Sequence, residues 1–323
     1  MERDRNQLLF LHPVCTHNIW GGSKLREEFG YEEAGDDIGE CWGISAYPKR
    51  DGIIENGKYK GFHLSELWNQ HPELFGNIKK DEGENEKFPL LVKIIDAKED
   101  LSIQVHPNDC YAMEKENHSL GKTECWYILD CPENAKLVIG HNANSTDELT
   151  RLIEEEKWSQ LICEVPVKKG DFIQINPGTV HAIKGGFVIL ETQQSSNVTY
   201  RVYDYDRMSD GKKRELHIEK CKEVITTPAP SASECILESE KIRGRDNQLE
   251  VIYAGMYYEV FKMRVKGTAF LDQKYHFLNI TITDGIGKID GTLVRKGTHL
   301  IVPYDYGVVL FEGDMEIIAS TVR

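Results

Sequence analysis

The amino-acid sequence predicts a fold dominated by β-strands, arranged as two barrels with a few short helices. Between Val165 and Ile189, short runs of apolar residues alternate with turn residues such as Asn176–Thr179. A spacing of about 8–12 residues between turns is typical of β-sandwiches and barrels rather than of α/β folds. A weak internal repeat, in which Val294–Pro303 resembles Val167–Pro177, predicts that the second barrel is related to the first.

Length and composition set the class of protein. The 323 residues suffice for two domains, and 40% hydrophobic with 28% charged residues is typical of a soluble globular chain. A formal net charge of −14 argues against a nucleic-acid-binding surface, which would be basic. No apolar run approaches the roughly 20 residues that span a bilayer. We therefore expect neither a nucleic-acid nor a membrane partner.

The eight cysteines are scattered, and no two have C-x-x-C spacing. The N-terminal Met1–Arg5 leads into a short apolar patch without a small-residue cleavage site, so no signal peptide is expected. From both observations we expect a cytoplasmic protein whose cysteines are reduced thiols.

Short helices and one linker interrupt the β pattern. The spacing of apolar residues predicts a helix over 64–75, and the polar run Lys79–Lys87 indicates a surface loop. Thr226–Ser233, with its prolines and serines, is the clearest linker and divides the chain into segments 1–228 and 235–323. Three further helices are predicted: from the cap Asn108 through Lys115, after the capping box Ser145–Glu148, and over 218–225.

The stretch Leu101–Asp109 is the one around which the site is predicted. Its period is two, so Leu101, Ile103 and Val105 share one face of a strand while Ser102, Gln104 and His106 share the other. An amide and an imidazole on one face indicate the wall of a polar pocket. The alternative is a half-exposed strand whose polar face meets water.

Other predicted strands supply further polar side chains. Phe88–Asp96 is an apolar run interrupted by Lys93, and Lys122, Glu124 and Trp126 share one face of the next strand. Gln104, His106, Glu124 and His181 together make a plausible ligand set for one divalent metal per chain, with a solvent position left open as in catalytic sites. Zinc is favoured by this mixture of nitrogen and oxygen ligands, and manganese, iron or cobalt would also fit.

The sequence also resembles a known family. Gly170–Asp171, Pro177–Gly178 and His181 are similar to a cupin motif of small jelly-roll barrels. Longer pieces, in the same order over the first two thirds of the chain, resemble type I phosphomannose isomerase. These pieces are Phe88–Lys93, Leu101–Asn108, Gly121–Glu124, Pro177–Ala182 and Glu191–Arg201.

This resemblance implies two cupin-like jelly rolls: residues 1–228 as the metal-binding catalytic domain with short helical insertions, and 235–323 without a metal site. It implies a zinc enzyme that interconverts mannose 6-phosphate and fructose 6-phosphate, with the metal on Gln104, His106, Glu124 and His181. It also places Lys122, Glu191 and Arg201 in the catalytic pocket. Unlike longer family members, this chain has no helical domain between Glu124 and His181.

Isomerisation of an aldose to a ketose needs a base for a carbon-bound proton and positive charge near the enediol oxygens. Glu191 is the first candidate for the base, with a metal-bound water or Lys122 as the alternatives. Arg201 could clamp the phosphate or steady the enediolate, although an arginine is by default a surface residue. Lys93 and Ser102 are further pocket candidates. Trp20 could stack on the sugar, although an aromatic near a turn is more often part of a core.

Two other functions keep the same fold. One is a cupin oxidoreductase that uses iron and oxygen. Its expected signature is a His-x-His pair or a face of two histidines and one carboxylate, and Gln104 stands where the first histidine of the pair would be. The other is a non-catalytic sugar-binding protein, which would have no need of Glu191, Lys122 and Arg201 together. For the favoured hypothesis, the isomerase, the expected partner is a small sugar phosphate. The protein is expected to be a monomer or a weak dimer.

Overall fold

The computed structural model describes residues 7–78, 87–209, 211–242 and 244–323. Antiparallel sheets make up most of it and the helices are short, which confirms the predicted fold class. Met1–Arg5 and the predicted loop Lys79–Lys87, apart from Lys87 itself, lie outside the described residues. The strands are β1 Leu9–His12, β2 Val14–Gly22, β3 Ile38–Ile44, β4 Ala46–Tyr47, β5 Arg50–Asp51, β6 Ile53–Ile54, β7 Leu90–Ala97, β8 Ile103–Val105, β9 Glu124–Asp130, β10 Lys136–His141, β11 Ile162–Pro166, β12 Phe172–Ile175, β13 His181–Ala182, β14 Phe187–Gln194, β15 Tyr200–Tyr203, β16 Met208–Ser209, β17 Lys212–Lys213, β18 Ile236–Leu237, β19 Glu250–Ala254, β20 Tyr258–Asp272, β21 Leu278–Ile289, β22 Thr292–Arg295, β23 His299–Val302 and β24 Val308–Val322.

The helices are α1 Lys24–Glu27, α2 Leu64–Gln70, α3 Asp109–Lys115, α4 Thr146–Glu154, α5 Trp158–Leu161, α6 Ile218–Val224 and α7 Ala232–Cys235, with 3-10 turns at Gly57–Tyr59, Pro72–Phe75 and Ser239–Lys241. The helix predicted over 64–75 is wrong as a single helix. It divides into α2 and a 3-10 turn because Pro72 lacks the N–H that an α-helix needs there. The predicted cap is confirmed for α3, where the Asn108 side chain accepts a hydrogen bond from the Tyr111 amide.

Three sheets build the molecule. The central sheet has the strand order β18-β12-β9-β14-β7-β2-β3, and the front sheet has the order β11-β10-β13-β8-β15. The rear sheet runs β19-β20-β24-β21-β23-β1-β6, with β22 paired to β21. Two short hairpins, β4-β5 and β16-β17, stand apart from these sheets.

Both faces of the central sheet are buried. Along β9, Trp126 and Ile128 belong to the apolar cluster between the central and front sheets, which also contains Ile173 and Ile189. The intervening Tyr127 belongs to the cluster between the central and rear sheets. A strand with two buried faces needs apolar residues at nearly every position, and the central strands have them.

The front sheet closes the barrel over the site. Ile103 and Val105 of β8 pack outward in a cluster that includes Leu149 and Leu152 of α4. The residues between and after them therefore point into the barrel, as the period of two predicts. The helices shield one face of this sheet, and its other face is free to carry polar groups.

The rear sheet has its own core, which includes Phe261, Val265 and Ile282. The N-terminal strand β1 extends this sheet by pairing with β23, with Leu9 opposite Ile301. The first segment of the chain thus supplies strands to the sheet of the second segment. The division into 1–228 and 235–323 stays a prediction.

The internal repeat coincides with two equivalent turns. Gly170 and Gly297 each have a φ in the left-handed region, at 86° and 89°, which favours glycine at both positions. In each turn the amide of the following residue bonds a carbonyl three residues back, Asp171 to Lys168 and Thr298 to Arg295. The strands that follow, β12 and β23, then enter different sheets.

An aromatic cluster holds the first segment against the second. The Phe277 ring, fully buried before β21, lies 5.1 Å from the Phe88 ring and 5.9 Å from the Phe75 ring. Trp68 of α2 completes the group, with its ring 5.4 Å from that of Phe88. Each ring comes from a different local element, so this contact depends on the tertiary fold.

We expect Phe277→Ala to lower the free energy of unfolding by about 3–5 kcal/mol, because the lost ring leaves a cavity among three other aromatic rings. Phe270→Ala is the matched control, since that ring is 68% exposed, and it should change stability by less than about 0.5 kcal/mol. Urea denaturation of the wild type and both variants gives the free energies of unfolding to be compared. Equal shifts would show that the cluster does not stabilise the fold.

A second buried group gives the fold a pH dependence. The His299 ring bonds Thr281 Oγ1 through Nδ1 and the Tyr31 hydroxyl through Nε2, each at 2.9 Å. A Cβ on Gly43 would lie 2.2 Å from this ring, so only glycine leaves room for it. Burial lowers the pKa of His299 to about 3.

Because the pKa of His299 is about 3 in the folded state and about 6.5 when unfolded, the unfolded chain binds more protons between those values. Stability should therefore rise with pH up to about 6.5, and the contribution is lost as the pH falls below it. Between about pH 7.5 and 5.5 the wild type should lose about 1.4 kcal/mol more than His299→Gln. Parallel stability curves for the two proteins would contradict this assignment.

Candidate metal centre and active site

Three buried side chains converge inside the barrel. His106 follows β8, Glu124 begins β9, and His181 begins β13, so two sheets contribute. One ligand atom from each lies within 4.8 Å of the others, and this group could hold a metal ion. The two Nε2 atoms are 3.1 Å apart, and each lies within 3.4 Å of a Glu124 oxygen.

The backbone sets the protonation of both imidazoles. His106 Nδ1 lies 2.9 Å from the Val198 carbonyl, and His181 Nδ1 lies 2.8 Å from the Thr179 carbonyl. A carbonyl only accepts, so each Nδ1 must donate, which leaves a lone pair on each Nε2. Burial, and for His106 also Lys122, lowers the pKa of both rings, to about 3 for His106. Neutral imidazoles with an Nε2 lone pair are the form that binds metal, and the lone pair of His106 also accepts a hydrogen bond from Lys122 Nζ at 3.2 Å.

Glu124 supplies the negative charge and is fully buried. Burial alone would raise its pKa, but Lys122 and then His106 hold the pKa of this carboxyl well below its usual range. Lys122 Nζ lies 2.6 Å from Oε2, yet neither carboxylate oxygen accepts a well-angled hydrogen bond from the described residues. Two lone pairs and two such oxygens facing one another fit a bound cation.

Gln104 and Arg201 lie in the same row of the front sheet as His181. Gln104 on β8 is the register partner of His181 on one side and of Arg201 on the other. Residues in direct register share a face, so all three face the barrel interior. Arg201 is half-buried, and its Nε has no hydrogen-bond partner among the described residues.

A chain of charges runs across the central sheet beside the three ligand candidates. Lys93 Nζ lies 3.3 Å from Glu191 Oε1 and 3.6 Å from Glu40 Oε1. The Trp126 indole donates to Glu191 Oε2 at 3.1 Å, and the Trp42 indole donates to Glu40 Oε2 at 2.9 Å. Lys93 also lies over the Trp42 ring, 4.4 Å from its centre. One ammonium thus balances two buried carboxylates.

The surroundings shift the pKa values of Glu191 and Glu40 in opposite directions. Burial and then the Glu124 charge raise the pKa of Glu191 above its usual value. For Glu40 the effect of burial is overcome by Lys93 and the Trp42 hydrogen bond, which lower its pKa. Glu191 is therefore the more basic of the two carboxylates, and its Oε1 accepts no well-angled hydrogen bond from the described residues.

For Ser102 and Trp20, no polar contact to the three ligand candidates is found within the described part of the chain. Ser102 is buried just before β8, and Trp20 is buried in the apolar cluster with Ile95 and Leu101. Sequence analysis missed Glu40 and Trp42 as site residues. Their shared face on β3 was visible from their spacing, but their position beside Lys93 depends on the pairing of β3 with β7.

The chain is similar to known enzymes over nearly its whole length. It is 45% identical over 317 residues to mannose-6-phosphate isomerase ManA of Bacillus subtilis, covering 97% of this chain and 98% of that protein. The chain belongs to the type I phosphomannose isomerase family. The model of the phosphomannose isomerase type I catalytic domain matches residues 8–136. Mannose-6-phosphate isomerase of Streptococcus mutans is 43% identical over 318 residues, with 97% of each chain covered.

Solved structures of this family share the fold. The crystal structure of mannose 6-phosphate isomerase from Bacillus subtilis superposes with a TM-score of 0.88 at 40% identity, covering 98% of this chain and 99% of that one. The apo form from Salmonella typhimurium reaches a TM-score of 0.75 at 15% identity, covering 98% of this chain and all of that one, and supports the fold alone. Within the described residues, no helix has the length and apolar character to cross a membrane.

We expect His181→Ala to abolish tight metal binding, because it removes one of the two converging Nε2 lone pairs. The control is His141→Ala, a buried histidine of the front sheet whose Nε2 bonds the Thr226 carbonyl instead. Metal content after dialysis against a chelator, measured by mass spectrometry of the elements, separates the two. Retention of one metal per chain in His181→Ala would contradict the ligand assignment.

Proposed function

We propose that this chain interconverts D-mannose 6-phosphate and D-fructose 6-phosphate, with one zinc ion per chain. The observation that carries the proposal is the convergence of two neutral imidazoles and a buried carboxylate beside Glu191, in a chain 45% identical to a mannose-6-phosphate isomerase. Gln104 would be the fourth protein ligand, since it lies in register with His181. Nitrogen and oxygen donors without thiolate favour zinc among the divalent metals.

The reaction transfers a proton between C1 and C2 through an enediol. A bound divalent cation would supply positive charge that stabilises negative charge on the O1 and O2 oxygens. Lys122 supports the same charge, because its pKa is raised: burial would lower it, but Glu124 and Glu191 more than compensate. A lysine that stays protonated acts as an electrostatic group rather than as the base.

Glu191 is the proposed base. Its raised pKa favours proton uptake more than that of an exposed glutamate would, and Oε1 is free of well-angled hydrogen bonds. The Trp126 indole fixes the other oxygen and so orients the carboxylate. Lys93, between Glu191 and Glu40, would hold that orientation and contact the sugar hydroxyls.

The phosphate would bind near Arg201. Burial and then the Arg201 charge lower the pKa of Arg214, which places the two guanidinium groups in one electrostatic neighbourhood. Arg214 Nη1 is held by Asp204 Oδ1 at 3.3 Å, whereas the Arg201 Nε has no partner among the described residues. A guanidinium with an unpaired donor is suited to a phosphate oxygen.

Ser102 and Trp20 are the proposed substrate contacts outside the charged cluster. Ser102 would contact the substrate from the end of the same strand as Gln104, and Trp20 would line the sugar from the apolar cluster. Residues 1–228 would form the catalytic domain and 235–323 the second, metal-free domain. We further propose a cytoplasmic location, which the eight free thiols support. The proposed assembly is a monomer or a weak dimer.

The proposal is tested by a coupled assay of mannose 6-phosphate conversion before and after chelation, with zinc then added back. Activity should disappear with the chelator and return with zinc. Metal-replete protein without isomerase activity would overturn the proposal. Oxygen consumption would then support a cupin oxidoreductase that uses iron. Sugar binding without turnover would support a non-catalytic sugar-binding protein.

We expect Glu191→Gln to lower kcat by about 100- to 10,000-fold, because the amide cannot take the proton from carbon. KM should change little, since the amide keeps the shape of the side chain. Glu164→Gln is the control, as Glu164 pairs with Lys184 at the surface and should leave kcat unchanged. A Glu191→Gln enzyme with near-normal kcat would assign the base to another group.

A further inference from the structure

Two cysteines face each other on the rear side of the central sheet. Cys15 on β2 and Cys41 on β3 are direct register partners. Directly opposite residues of an antiparallel pair have Cα atoms about 4.5 or 5.5 Å apart. Both separations lie within the range of about 4.4–6.8 Å that a disulfide can bridge. Among the strand pairings of the described residues, this is the one pair of cysteines in direct register.

The two thiols differ in access. Cys41 is fully buried. Cys15 is half-buried and lines a cavity of about 350 Å³, together with His12 and Arg295. A small oxidant can therefore reach Cys15 through the cavity, whereas Cys41 is buried and does not line it.

The two thiols also differ in acidity. The neighbouring Cys41 side chain lowers the pKa of Cys15 despite partial burial. Burial raises the pKa of Cys41 well above its ordinary value. The thiolate is the reactive form of cysteine, so the accessible member of the pair is also the better nucleophile.

We propose that Cys15 and Cys41 form a redox site, in which a peroxide converts the two thiols into a cross-strand disulfide. The Cys15 thiolate attacks one peroxide oxygen, the O–O bond breaks, and the leaving hydroxide takes up a proton, which gives a sulfenic acid and one water. The Cys41 sulfur then attacks the Cys15 sulfur, the S–O bond breaks, and a second water leaves. Two thiols lose two electrons and two protons, and hydrogen peroxide is reduced to two waters.

The site is separate from the metal centre. Cys41 lies between Glu40 and Trp42, but alternation along β3 turns its side chain to the opposite face of the sheet. The oxidation therefore does not require the metal, the substrate or the proposed isomerase activity.

The test uses the full-length reduced protein, treated with a small excess of hydrogen peroxide and then blocked with N-ethylmaleimide. Trypsin would release Cys15 in the peptide 6–24 and Cys41 in the peptide 27–49, so the disulfide joins two separate peptides. Before blocking, we expect the intact mass to fall by 2 Da. After blocking under denaturing conditions, we expect six maleimides on the eight cysteines and, after digestion, the linked peptide pair. Dithiothreitol should reverse the link. Oxidation of other cysteines without this link, or no reaction, would overturn the proposal.

Variants test the order of the two steps. In Cys41→Ala the sulfenic acid on Cys15 has no resolving thiol, and dimedone should label the peptide 6–24 after peroxide. Cys163→Ala, which removes a half-buried cysteine of β11, is the control and should still form the linked pair. If Cys41→Ala does not fold, Cys15→Ser provides the same information, since Cys41 should then stay reduced at the same peroxide dose. Labelling of Cys41 in that variant would contradict the proposed order.

Discussion

The buried negative charge of Glu124 is the constraint on which the site depends. A buried carboxylate without a partner is costly, and the Lys122 ammonium balances the charge of Glu124. The two neutral imidazoles do not balance that charge, because they turn Nε2 lone pairs toward it. The lone pairs lie on Nε2 because the protonated Nδ1 of each ring donates a hydrogen bond to a backbone carbonyl. The backbone therefore sets the chemistry of the centre through hydrogen bonds that carry no charge. A divalent cation completes the balance that the protein groups leave open.

The central sheet connects this centre to the rest of the molecule. Its strands present charged groups to the barrel on one face and apolar groups to the rear sheet on the other. Lys93 can be buried between Glu191 and Glu40 because β7 is flanked by β14 and β3. The rear sheet thus contributes to the site without touching it, by fixing the strands that carry these three residues.

Local sequence patterns predicted many of the strands and the direction of several candidate site residues. The period of two over Leu101–Asp109 was enough to place Gln104 and His106 on one face, because side-chain direction in a strand is a local property. Strand order is not local, which is why the position of Glu40 beside Lys93 could not be read from spacing. The single helix expected over 64–75 was wrong for a local reason, because Pro72 ends the α-helical pattern and begins a 3-10 turn. The family resemblance supplied the link between the ligand candidates and the isomerase reaction, which residue types alone had left open among several metals and functions.

The alternation along β9 has a consequence for how the sequence can vary. Glu124 and Trp126 face the candidate metal centre, whereas Cys125 and Tyr127 face the rear core. Substitutions at neighbouring positions of this strand should therefore act differently, one series on the site and the next on folding. A library that randomises the two series separately would yield two nearly independent sets of survivors, and substrate range could be altered through one series while the other preserves the scaffold.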